Sequence, residues 1–315
     1  MVPNGFSILI RQSTMLKVHD QKILNFVQMK QTLLTIVLIG LLWGCKTTDI
    51  PYNFNNPSRI LTLPEILNEV SGISDISLSE IACVQDEIGT VFIVDLNSGE
   101  IVKEIVFDKI GDFEGITYID SSMFILRSDG RLTKWENFFS GQTPQLTHYP
   151  LSLETRDNEG LAYDAFEHKL LISAKSKPDQ KASSKLRLIY AFDLTTNTLQ
   201  ETPEISIHLD SLEKAAQKFG IFQTDTTLKG KIKPFNFRPS SLAVDPRTGN
   251  YYIISAEEFM LVVMNRQGRV IYMTNLDRTI FTKPEGITFL PNRDLIISNE
   301  ANGQKPTLFY FKLGG

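Results

Sequence analysis

Five short segments of this chain share one pattern: a glutamate or serine, a glycine or serine, a branched aliphatic residue and a small residue. They are Val70-Ser71-Gly72-Ile73-Ser74, Phe113-Glu114-Gly115-Ile116-Thr117, Asn158-Glu159-Gly160-Leu161-Ala162, Pro239-Ser240-Ser241-Leu242-Ala243 and Pro284-Glu285-Gly286-Ile287-Thr288. Their third positions lie 43, 45, 81 and 45 residues apart. A period of about 45 residues with strand-like content is the mark of a β-propeller blade. The fold class is therefore all-β. Propellers host unrelated activities, so the repeat specifies an architecture and leaves function open.

Each unit repeats one internal order. The motif opens an apolar strand, and a second strand rich in Ile, Leu and Val follows, as in Leu170–Ser173, Tyr251–Ser255 and Leu295–Ser298. A third is seen in Val91–Leu96 and Leu186–Phe192, and a fourth in Glu100–Val106. Four strands make one blade. Five blades of about 45 residues, with one long insertion, account for the chain beyond Cys45; six blades require that the 81-residue interval hide a degenerate unit. Only 29 residues follow Gly286, enough for three strands, so Arg59–Leu63 is expected to supply the fourth and close the ring.

The long interval reads as a helical insert at about 208–236. Asp210-Ser211-Leu212-Glu213 has the form of a capping box, Leu212, Ala215, Ala216 and Phe219 recur at helical spacing, and Gly220 is placed to stop the helix. Its apolar face is expected to pack on the propeller rim.

The start of the chain carries a second signal. Leu33 to Trp43 is almost wholly apolar and ends in Leu42-Trp43-Gly44-Cys45, which looks like the lipobox of a lipoprotein. The run is shorter than the roughly 20 residues that span a bilayer and suits the apolar core of a secretory signal. Residues 1–44 are read as that signal, with Met29-Lys30 as an alternative start, Cys45 as the lipidated residue, 45–56 as a polar tether and 57–315 as the propeller. The chain is thus expected at the cell envelope, lipid-anchored at the outer membrane or facing the periplasm. From Cys45 onward it carries 28 basic and 35 acidic residues, a net charge of −7. No basic stripe appears, which argues against nucleic acid as a partner. A monomer is expected. Cys83, in Ile81-Ala82-Cys83-Val84, is left without a second thiol and reads as a small buried hydrophobe.

In a propeller the innermost strand begins, and the second ends, on the same face of the disc. Glu114, Glu159 and Glu285 should therefore approach the channel from three blades, with Glu257, Glu300, Asp86, Glu87, Asp129 and Lys175 beside them. Three readings stay open for such a ring: structural capping of strand ends, binding of a hard cation such as Ca²⁺ through oxygen ligands, or acid–base catalysis by carboxylates that raise one another's pKa. Glu114, Glu159, Glu285, Glu300 and Glu257 are the candidate ligands. The histidines show no metal-ligand spacing, and zinc-protease, P-loop, nucleophile-elbow, WD and kelch patterns are missing.

The Glu-Gly-Ile/Leu motifs, together with Phe237-Arg238-Pro239-Ser240-Ser241-Leu242-Ala243-Val244-Asp245-Pro246 and Ile296-Ile297-Ser298-Asn299-Glu300, resemble the SdiA-regulated protein family of bacterial envelope β-propellers over roughly Leu63 to Lys312. The resemblance implies a five- or six-bladed propeller and an exported, often lipid-anchored product. It implies no established reaction. The expected function is a binding or interaction module at the envelope, meeting a protein or glycan and carrying Ca²⁺ on the channel face. The alternative is a metal-dependent hydrolase of a phosphoester, ester or lactone, similar to phytase-like or gluconolactonase-like propellers.

Overall fold

The computed structural model describes residues 50–178, 184–222 and 226–315. The signal region, Cys45 and the first part of the tether lie outside the described residues.

Five antiparallel sheets form the blades. The first holds β2 (Val70–Asp75), β3 (Glu80–Gln85), β4 (Ile88–Asp95) and β5 (Ile101–Ile110). The second holds β6 (Phe113–Ile119), β7 (Ser122–Arg127), β8 (Arg131–Glu136) and β9 (Gln145–Pro150). The third holds β10 (Asn158–Asp164), β11 (Lys169–Ala174) and β12 (Leu186–Asp193), with an outer strand split into β13 (Thr198–Leu199) and β14 (Ile205–His208). The fourth holds β15 (Ser241–Val244), β16 (Tyr251–Ser255), β17 (Met260–Met264) and β18 (Val270–Asn275). The fifth combines β19 (Pro284–Phe289), β20 (Leu295–Asn299) and β21 (Thr307–Phe311) with β1 (Arg59–Thr62) from the other end of the chain. Arg59 stands opposite Tyr310 and Thr62 opposite Thr307 in that closing pair, as the residue count requires.

The apolar residues form five clusters, one at each interface between neighbouring blades. A blade is thus buried on both faces. Successive strand residues point to opposite faces, so Tyr251 and Ile253 of β16 enter one interface while Tyr252 and Ile254 enter the next. This is why the second strands read as unbroken apolar runs rather than alternating ones. Cys83 is 1% exposed in the cluster between the last and first blades, and burial pushes its thiol pKa up, so it is an inert packing residue.

The innermost strands β2, β6, β10, β15 and β19 pack side by side around the axis, and β19 closes on β2. The motif glycines set how near they come. A Cβ built on Gly72 would stand 2.8 Å from the Cα of Gly115 and 2.9 Å from the carbonyl oxygen of Glu114; one on Gly286 would stand 2.6 Å from the carbonyl oxygen of Ser71. These obstacles are backbone, which cannot swing aside. The pairing register also slips at the motif in four blades, between Val70 and Ile73, Phe113 and Gly115, Asn158 and Gly160, and Pro284 and Ile287. Such a bulge re-aims the side chain it carries.

The insert contains the helix α1 (Leu209–Lys218). Leu209, Leu212 and Ala216 are buried against the third and fourth blades, with Ala215 and Phe219 packed beside them, as expected. The capping box does not form. His208 is the N-cap residue and makes no side-chain cap bond, while Asp210 sits inside the first turn and pairs with Lys185 at 2.5 Å. The helix starts earlier than the box because β14 feeds directly into it. Its end follows expectation: Gly220 takes φ +72°, its N–H bonds Gln217 at 3.2 Å, and Ile221 N–H bonds Ala216 at 3.0 Å, the pattern of a Schellman stop. The second half of the expected tether is docked: Tyr52 and Phe54 are buried among Tyr252, Phe289 and Phe311.

Gly72→Ala should destabilise the propeller by at least about 2 kcal/mol, because overpacking against backbone has no side-chain escape. The midpoint of urea unfolding measures this, and an unchanged midpoint would contradict the close approach.

Candidate functional site

The motif glutamates sit at the second position of β6, β10 and β19, on the bulges described above. They form one electrostatic network. Glu159 is 4% exposed and Glu285 6%, and the charges of Glu114, Glu159 and Glu285 repel one another. Lys175, immediately after β11, places its ammonium 2.6 Å from Glu159 and 3.8 Å from Glu257. Lys283, immediately before β19, stands 3.0 Å from Glu285 and 2.8 Å from Glu300. Four of the five predicted glutamates are therefore held by two lysines, and the fifth, Glu114, joins them through its repulsion with Glu159 and Glu285. Ser71, which occupies the glutamate position in the first blade, donates its hydroxyl to Glu114 at 2.7 Å and bridges two blades. Ser240, its counterpart in the fourth blade, accepts from Ala256 N–H at 3.2 Å. Asp129 pairs locally with Arg127 and is half exposed, apart from this network.

Two members stand out. Glu159 Oε2 is buried and has no hydrogen-bond partner among the described residues. Its carboxyl pKa is held well above the usual range, first by burial and then by Glu285 and Glu114, against the pull of Lys175. Glu114 is raised to about 8, first by burial, with the nearby Asp112 and Glu285 charges adding to it and the Ser71 hydrogen bond opposing it. Burial and then the Glu285 charge raise Glu300 to about 7. Burial, reinforced by Glu69, raises Asp86 to about 7. Near neutral pH the mouth thus holds exchangeable protons as well as fixed charges.

Sequence reasoning missed Lys283, Arg238 and Asp112. Each lies two residues before the glutamate position, and every blade carries a charge there: Glu69, Asp112, Asp157, Arg238 and Lys283. The signal was present in the repeat. In four blades the carbonyl of this residue accepts the N–H of the residue that follows the second strand, as in Asp157 to Lys175 at 2.8 Å and Lys283 to Glu300 at 2.9 Å. That bond fixes the loop pairs at the mouth. Arg238 pairs with Glu257 and, at 3.0 Å, with Glu258, carrying the network to the fourth blade.

A group whose folded pKa is raised binds its proton more tightly in the folded protein. Its stabilisation is complete below the ordinary carboxylate range and is lost as pH climbs through about 7 to 8. The unfolding free energy should fall from about pH 5 to about pH 8, by up to about 1.4 kcal/mol per pH unit for each proton involved, and the melting temperature should fall with it. Glu114→Gln, which mimics the protonated acid, should flatten the part of that fall that extends up to about pH 8; an unaltered slope would count against the desolvation of Glu114.

The family model described as SdiA-regulated matches residues 58–312. Among solved structures, the chain is similar to Myxococcus xanthus glutaminyl cyclase, with 14% identity, 82% of this chain and 95% of that chain covered, and a TM-score of 0.52. It is also similar to the PQQ-bound aldose sugar dehydrogenase of Streptomyces coelicolor, with 10% identity, 82% and 97% covered, and a TM-score of 0.50. At these identities the likeness is one of fold alone. No curated protein matches the sequence.

Proposed function

This chain belongs to the SdiA-regulated family, and we propose that it works as a non-catalytic binding module of the cell envelope, held to a membrane by lipid on Cys45. Its charged mouth takes a polar ligand, a glycan or the surface of an envelope protein. One observation carries this reading: in Glu257–Lys175–Glu159 and Glu285–Lys283–Glu300 a lysine ammonium stands between carboxylates. The position a bridging cation would take is already filled by side chains. Among the described residues no three His, Cys, Asp or Glu side chains gather closely enough to hold a metal ion. Ca²⁺, with its six to eight oxygen ligands, fits this arrangement poorly. Donors and acceptors alternate instead, which suits hydroxyl and amide groups of a ligand.

The metal-dependent hydrolase keeps one observation in its favour. Glu159 is desolvated, holds its proton above the ordinary range and presents an unpartnered oxygen, which is the state of a general acid. Three measurements on the purified protein separate the readings: calcium titration after EDTA stripping, retention on a glycan array, and turnover of chromogenic phosphate, acetate and lactone substrates. The binding module predicts no tight calcium site, and glycan retention that Glu159→Gln combined with Lys175→Met abolishes. A tight single calcium site with turnover that EDTA removes would replace it with the hydrolase.

The anchor is tested separately. Cys45→Ser should move the protein from the membrane to the soluble fraction, since stable anchoring depends on acyl chains. Persistence of the variant in membranes would overturn the lipobox.

A further inference from the structure

The opposite end of the channel holds a second cavity, a cup of about 210 Å³ lined by all five innermost strands. It lies roughly 13 Å from the glutamates, four residues along each strand at about 3.3 Å per residue. Two successive motif positions build it. The fifth position is small in every blade, Ser74, Thr117, Ala162, Ala243 and Thr288, and this leaves the space open. The sixth supplies the walls: Tyr118, Tyr163 and Phe289 in three blades, Val244 in one, and a carboxylate, Asp75, in the last.

Asp75, half-buried, differs from the fully buried Asp164 and Asp245 on this side of the disc. Asp164 is clamped by Arg266 at 2.9 Å and Asp245 by Arg293 at 2.7 Å, each arginine reaching across from the next blade. Asp75 has no such partner: among the described residues no ion pair reaches it, and its side chain accepts only a long bond from the Thr288 hydroxyl at 3.3 Å. A half-buried carboxylate without a cation is still disfavoured, because part of its hydration is lost. Burial accordingly pushes its pKa up to about 6, with the hydrogen bonds opposing.

A neutral cup with aromatic walls and one unpaired carboxylate is complementary to an alkylated ammonium ion. The aromatic faces attract the cation, the methyl groups fill apolar space, and the carboxylate neutralises the charge. We propose that this cup binds a quaternary or alkylated ammonium group, free or carried on a lipid headgroup, with Asp75 as its counter-ion and Tyr118 and Tyr163 as walls. The site is separate from the charged mouth and does not rest on the function proposed for it.

The test is calorimetric titration of the protein with choline and with its neutral carbon isostere, in which a tert-butyl group replaces the trimethylammonium. Flotation with phosphatidylcholine vesicles distinguishes the headgroup as the source. Saturable binding of choline, or flotation with the vesicles, is expected. Asp75→Asn should weaken it at least about tenfold, Tyr163→Ala should weaken it as well, and Glu159→Gln should leave it unchanged. Melting curves confirm that each variant is folded, and Asp75→Glu, which keeps the charge, should retain part of the binding. The proposal is overturned by the absence of both choline binding and flotation, by equal binding of the neutral isostere, or by a folded Asp75→Asn variant that binds as well as the wild type.

Discussion

Everything at the two ends of the channel depends on how closely the innermost strands approach one another. At Gly72 and Gly286 the backbone of the neighbouring blade lies where a Cβ would be, and at Gly115 and Gly160 a Cβ would meet the side chains of Leu161, and of Ser173 and Leu242, with neighbouring backbone at 3.0 Å. Only a residue without that atom allows the contact. The same crowding accompanies the register slip at the motif, and the slip turns the preceding side chain toward the axis. Close packing and convergence of glutamates are thus two results of one local geometry. The fourth blade, with Ser241 in the glycine position and no register slip there, carries no glutamate at that point. The first blade separates the two, since it has Gly72 and the slip but carries Ser71 in the glutamate position.

Convergence creates an electrostatic problem that the fold solves in two ways. At one end, lysines that flank the strands enter between the carboxylates, while burial and mutual repulsion make Glu114 and Glu159 hold a proton more tightly than in water. On the other side of the disc, arginines reach from blade to blade and lock Asp164 and Asp245. The Arg293–Asp245 pair is a two-nitrogen fork and geometrically exacting, while Arg266 holds Asp164 through one nitrogen and Glu167 through another, so both help fix the rotation of one blade against the next. Asp75 receives neither treatment.

How much of this is readable before folding depends on the range of the interaction. The blades, the closing strand Arg59–Thr62 and the helix around Leu212 follow from periodicity and from residue count, both of which are local properties. The glutamates at the mouth follow from the repeat once the strand direction is known. Asp210 as a cap does not, because the preceding strand β14 runs straight into the helix and moves its start. Nor does the burial of Tyr52 and Phe54, whose polar neighbours suggest a free tether while the aromatic rings find a place at the interface between the last two blades. Lys283 pairs within its own blade, with Glu285 two residues on and with Glu300, whereas Lys175 also meets Glu257 of the next blade, a long-range fact that no window of sequence contains.

The strand that closes the ring is only four residues long, yet it joins the beginning of the propeller to its last blade. In mechanical terms it is a clasp. A pull on the chain upstream of Tyr52 would first meet the aromatic contacts of Tyr52 and Phe54, and then the rungs between Arg59–Thr62 and Thr307–Tyr310. Beyond those rungs come the bonds from Leu63 N–H to the Pro306 carbonyl and from Ala301 N–H to the Asn68 carbonyl, each at 2.8 Å, and the packing of the fifth blade on its neighbours. The force at which such a chain yields would therefore be set at this clasp, where the load enters, and not by the larger interfaces between blades.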